Sequence, residues 1–297
     1  MQMQRDLQAP KNIPYSSFSV HHSTKVCETS SGPAPHSFLS THVSVGLALL
    51  FTGCLPGGPL EPVDRGDTGV TAEVVPFHLE LGRALIDRLE DADNAWEVPT
   101  EVELGPESWT AQAKCSGLLT RLLEAASGFD LQDRWECDTT VPLAWYWHAR
   151  ITGDLSPDPN LSRIESAHDL QPGDILAIRY LDCDPDLLSC GRENDACDGG
   201  STGHVALVDA TPTYRRVGGL LEWTLDVIDS ARSGHTAALD SRWRDGEWQD
   251  GVGAGPMRLI TDLDGQPLAY SWSASADSAL VTDTEATIAL GRWEEEP

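Results

Sequence analysis
The chain has 297 residues, with 47 Asp and Glu against 20 Lys and Arg and a formal net charge of −27. This surplus repels phosphate backbones and gives no attraction to anionic membranes or teichoic-type polymers; it excludes nucleic-acid binding and otherwise signifies only solubility. No internal repeat is evident, and the residues beyond the leader form one domain large enough for a true core.

The first 40 or so residues are polar and carry no periodic pattern. Val43 to Gly53 is an apolar run ending at Cys54, too short to span a bilayer but suited to the h-region of a secretory signal peptide. Its T-G-C ending resembles a bacterial lipobox, which implies lipidation of Cys54 and export to the cell envelope. No Lys or Arg lies between Lys25 and Arg65, so the positive n-region is poor and a start codon downstream of Met1 would explain the leader. The alternative is a buried strand or helix ending in an ordinary cysteine. Residues 1–54 thus read as leader and signal, 55–71 as a Pro/Gly/Asp linker, and 72–297 as the folded domain.

Phe77, Leu79, Leu81, Ala84, Leu85 and Leu89 recur as on an amphipathic helix. A second helix follows Cys115, with Leu118, Leu119, Leu122, Leu123 and Ala126 at helical spacing. Cys115 falls in its first turn, where unsatisfied backbone N–H groups and the helix dipole favour a thiolate. Lys114 adds positive charge beside it, and Gly117 permits a close approach. The competing reading makes Cys115 a small core residue or half of a disulfide.

Ile175 to Ile178, after the turn Pro172-Gly173-Asp174, and Val205 to Val208, after Gly203-His204, read as strands. Leu221 to Ile228 reads as a third strand ending at Asp229-Ser230. Asp240 to Trp243 and Gly251 to Pro256 read as loops, and Pro256 to Trp272 as a hairpin turning at Asp264-Gly265, with a last strand over 287–292. Trp145, Trp147, Trp223, Trp243, Trp248, Trp272 and Trp293 either line a cleft or pack in the core.

Between the first two of these strands, residues 181–200 form an acidic, turn-rich insertion with Cys183, Cys190 and Cys197. With Cys137 these make four disulfide candidates in an oxidising compartment, in any of three pairings. A calcium loop over Asp182, Asp184, Asp186 and Glu193 lacks the glycine its turn needs, where Leu187 stands, and the spacing does not suit zinc.

The order K-C-S-G-L-L, P-G-D-I-L-A-I and G-H-V-A-L-V resembles the NlpC-type and CHAP families of cysteine peptidases and amidases. The resemblance covers Trp109 to Ser230, with Lys114 in place of the family's usual Asp and without its tyrosine before the cysteine. It implies an α+β fold, a papain-like cysteine hydrolase core with N-terminal helices packed on an antiparallel β-sheet. It further implies Cys115 as nucleophile, His204 as general base and Asp229 as the residue orienting the imidazole, with Asp226 and His235 as rivals for that third place. Peptidoglycan or another peptide would be the partner, the lipid anchor the link to the membrane, and a monomer without cofactor or metal the working form. A silent envelope lipoprotein that binds with the same fold, and an acyltransferase using the same dyad, are the alternatives.

Overall fold
The computed structural model describes residues 75–90, 93–97, 100–105, 108–137, 141–183, 190 and 201–294, all within the unit 67–297. Cys54 and the expected leader, Cys197, and the calcium candidates Asp184, Asp186 and Glu193 lie outside them.

Helix α1 (Phe77–Arg88) starts after Pro76, whose ring holds φ at −61°, and buries Leu79, Gly82 and Leu85. Strands β1 (Asn94–Ala95), β2 (Glu101–Leu104) and β3 (Trp109–Gln112) form a small sheet in the order β1-β3-β2. Helices α2 (Cys115–Ser127), α3 (Leu131–Arg134) and α4 (Ala144–Thr152) follow. Gly128 ends α2 in the left-handed conformation, at φ 72°, and its N–H donates to Glu124 O.

Apart from a 3-10 turn at Ala167–Asp169, the regular elements among the described residues beyond α4 are strands: β4 (Leu161–Ile164), β5 (Ile175–Tyr180), β6 (Gly203–Val208), β7 (Thr213–Val217), β8 (Leu220–Ala231), β9 (Trp243–Arg244), β10 (Glu247–Trp248), β11 (Gly251–Thr261), β12 (Pro267–Ser271), β13 (Val281–Thr282) and β14 (Ala286–Trp293). Nine strands form one antiparallel sheet, ordered β13-β12-β11-β8-β6-β5-β14-β4 with β7 hairpinned onto β8. β9 and β10 pair separately.

Side chains alternate between two cores, as strand geometry requires. Ile175, Ala177, Val205, Leu207 and Ile228 join α1, α2 and α4 in the first core. Leu176, Ile178, Ala206, Val208 and Val227 join Met257, Leu259 and Tyr270 in the second. β12 and β13 come against β14, so the sheet curls and encloses the second core itself. With both faces buried, β6 is an uninterrupted buried run rather than an apolar–polar alternation.

This architecture overturns the expected fold class. Strand outweighs helix, and the helices lie in the middle of the chain, with a three-stranded sheet between α1 and α2. The largest departure is β11. The Gly251–Pro256 stretch expected as a loop is part of an eleven-residue strand, paired with β8 from Gly251↔Ala231 to Thr261↔Leu221. Its glycines are there for space: a Cβ at Gly253 would lie 2.6 Å from the Arg242 side chain, and one at Gly255 2.4 Å from Asp240 Oδ2.

Candidate active site
The β6–β8 ladder is bonded at Leu207↔Ile228 and Val208↔Val227. Toward the start of β6, the β3–α2 junction meets β8: Ser230 Oγ donates to Ala113 O at 2.5 Å. This junction delivers Cys115, at the first position of α2, to His204 on β6 and the backbone N–H of Val205, both hydrogen-bonded to its sulfur. Gly117 lets Thr100, just before β2, pack against the first turn of α2, since a Cβ there would lie 2.4 Å from Thr100 Oγ1. The turn before β5 braces α1: Gly173 has φ +91°, its carbonyl accepts from His78 Nε2 at 2.9 Å, and Asp174 pairs with Arg292 at 2.8 Å.

Cys115 is the free cysteine among the described residues. Cys137 and Cys190 form a disulfide with Cα atoms 5.4 Å apart, and Cys183 is also disulfide-bonded.

His204 Nε2 donates to Asp229 Oδ2 at 2.6 Å, which leaves Nδ1 as the ring nitrogen for Cys115. Asp229 is 1% exposed, near the end of β8. Both rivals for its role are now located. Asp226 lies farther back along β8, where burial and the charge of Asp209 raise its pKa. His235 sits on the far side of Asp229, its Nε2 3.2 Å from Oδ2 and its Nδ1 donating to Trp272 O at 2.9 Å.

Two groups that escaped the sequence reading complete the cluster. Arg242, 1% exposed, places Nη1 2.9 Å from Asp229 Oδ1 and Nη2 2.8 Å from Asp240 Oδ2. Asp240 also accepts from the His235 backbone N–H at 2.7 Å. Cys115, His204, Asp229, Arg242 and Asp240 thus form a continuous series in which acidic and basic groups alternate, the arrangement charge away from water requires. The Trp272 ring stands edge-to-face on His204, with centroids 4.7 Å apart, and stacks near His235.

The electrostatics follow. Burial pushes the Cys115 thiol up, but the charge and hydrogen bond of His204, with the Val205 N–H, outweigh it and bring it below its usual value. Burial lowers His204, but the Cys115 thiolate and the Asp229 hydrogen bond push it up to about 10. Burial raises Asp229, yet Arg242 and the two histidines hold it well below the carboxylate range. Each partner therefore favours the charged form of the other.

A cavity of about 520 Å³ opens over this pair, walled by Trp96, Lys114, Leu143, Tyr180, Thr202 and Arg232. α2 has no side-chain cap, so its first-turn N–H groups stand beside the sulfur. Of the tryptophans considered for a cleft, Trp147, Trp223 and Trp293 are core, whereas Trp272 touches the dyad. Trp109 packs under Arg88; the phenol that reaches the cavity is Tyr180. Among the described residues, no group of three or more His, Cys, Asp or Glu suits a metal, and no helix is long and apolar enough to cross a membrane.

No protein-family model matches the chain, and no solved structure matches it. The chain is similar to an uncharacterized protein of Acanthamoeba polyphaga mimivirus, 28% identical over 189 residues that cover 60% of this chain and 76% of the viral protein.

Proposed function
We propose that this protein is a cysteine hydrolase that cleaves amide bonds through a thioester on Cys115. The observation that carries the reading is the hydrogen-bonded series Cys115–His204–Asp229, with the sulfur beside the uncapped start of α2 and facing a cavity. The Sγ thiolate attacks the amide carbonyl, and the developing oxyanion takes hydrogen bonds from the backbone N–H of Cys115 and its neighbour in α2. His204 gives its proton to the leaving amine. It then takes a proton from the water that cleaves the thioester, restoring the thiolate and releasing the acid. Asp229 keeps the ring oriented and charged, and Trp272 shields that bond from water.

Peptidoglycan stem peptides are the proposed substrate class, on the strength of the three motifs that resemble NlpC-type and CHAP enzymes. Export with a lipid anchor at Cys54 is proposed with it. The leader pattern supports it, and so does the Cys137–Cys190 disulfide, a bond characteristic of oxidising compartments. A free Cys115 suits an enzyme better than a silent binding protein.

The test is alkylation of Cys115 across pH, read by mass spectrometry, beside digestion of purified peptidoglycan. We expect rapid labelling persisting near pH 6, in contrast to an ordinary thiol at 9.0, and a second inflection near 10 as His204 loses its proton. His204→Ala should return labelling to a single step in the ordinary thiol range and abolish release of new amine termini. Slow wild-type labelling at pH 6 would sink the reading.

A further inference from the structure
In a chain of net charge −27, the cavity over Cys115 reverses the sign: its described lining contains Lys114 and Arg232 and no aspartate or glutamate. The two cations share one support. Lys114 Nζ lies 4.7 Å from the centroid of the Trp96 ring and Arg232 Cζ lies 4.2 Å from it. Cation–π contacts of this kind fix flexible side chains in place. Arg232 lies just beyond the end of β8, which carries Asp229, and Lys114 directly precedes the nucleophile. Neither cation belongs to the Cys115–His204–Asp229 series, and both line the cavity above it. Burial, then the charge of Arg232, already lowers the pKa of Lys114.

We propose that Trp96, Lys114 and Arg232 form a carboxylate-recognition wall, and that the substrate is an amide whose acyl or amine side carries a carboxylate beside the scissile bond. Arg232 supplies the planar fork that matches a carboxylate and Lys114 the point charge. The ammonium of the residue preceding Cys115 reaches groups next to the attacked carbonyl, which ties the anionic group to the reacting bond rather than to a distant subsite. Ser116 and Thr202 in the same wall offer hydroxyls to its remaining lone pairs. This inference rests on the hydrolase reading, because it assigns the charge of that site's substrate.

The experiment compares iodoacetate with iodoacetamide on the purified non-reduced protein, two reagents that alkylate the same sulfur and differ in one negative charge. The ratio of their second-order rate constants at Cys115 cancels any change in thiolate content. We expect Lys114→Gln and Arg232→Gln each to lower the iodoacetate-to-iodoacetamide ratio by roughly three- to tenfold, the effect of one unit charge several ångströms away in a solvent-lined cavity. The double variant should lower it further, and added salt should compress the wild-type ratio. An unchanged ratio in both single variants, with Cys115 still reactive near pH 6, overturns the carboxylate wall and leaves the hydrolase standing. A wild-type Cys115 that is slow toward both reagents overturns the hydrolase reading and this proposal with it.

Discussion

Asp229 is the residue on which the site's charge balance turns. Its carboxylate faces His204, His235 and Arg242 at 2.6, 3.2 and 2.9 Å, and it is sealed from water. A carboxylate in this position is ionised only because the cations are there. A depressed carboxylate stabilises the fold at pH values above its ordinary range, near 3.8, and that contribution disappears as the pH falls through its folded value. His204 has the opposite sign: with its folded value near 10 against an ordinary 6.5, its contribution is complete below 6.5 and is lost as the pH rises through about 10. Arg242→Gln leaves Asp229 and Asp240 undercompensated. We expect a loss of about 3–5 kcal/mol, the cost of breaking a buried ion pair, and a shift of acid unfolding to higher pH as Asp229 is drawn back toward its ordinary range. Tryptophan fluorescence across an acid titration reads both effects. Coincident wild-type and variant curves would show that Arg242 does not hold Asp229 ionised.

At the scale of the element, β11 makes the buried ion pair possible. Gly253 and Gly255 lie two apart on a strand, so they share a face, and that face receives the side chains of Arg242 and Asp240. Gly255→Ala drives a methyl into Asp240, which is itself bonded to Arg242 and the His235 backbone. The expected cost is about 1–3 kcal/mol of overpacking, seen in the urea midpoint. Slower alkylation of Cys115 should accompany it, because the displaced Arg242 no longer fixes Asp229. A destabilised variant whose alkylation rate is unaltered would separate β11 from the site. The same element shows what was legible in the sequence. α1, α2, β5, β6 and the β11–β12 hairpin rest on short-range patterns: helical spacing of leucines, apolar runs, and the Asp264-Gly265 turn with Gly265 at φ +85°. Cys115, His204 and Asp229 stood out because each sits at the end of such a pattern. G-V-G-A-G-P lost its strand signal because its glycines exist to admit Arg242 and Asp240, partners that no local pattern announces. The fold class failed for a related reason. The second core depends on the sheet curling until β12 and β13 meet β14, and that curl leaves no local trace in the sequence.

At the scale of the whole molecule, the disulfide ties Cys190 to the segment that follows α3. Cys137 follows α3, and Cys190 lies 53 residues later. The Cys190 carbonyl accepts from the Leu143 N–H at 3.0 Å, and Leu143 and Ala144 line the cavity over Cys115. The crosslink therefore sets the position of the cavity wall at the start of α4. It also removes freedom from the unfolded chain; for a loop of this length the chain-entropy relation gives about 4 kcal/mol at 25 °C. Replacing both cysteines by serine removes that constraint without leaving a stray thiol to compete with Cys115. We expect the urea midpoint to fall by an amount approaching this figure, while the Cys115–His204 pair, seated on α2 and β6, keeps its thiolate and its labelling near pH 6. Turnover should fall more than labelling does, because the wall that orients the substrate loosens although the nucleophile stays in place. A double variant with wild-type stability would mean that the Leu143 hydrogen bond and the packing of α4 hold the wall without help from the crosslink.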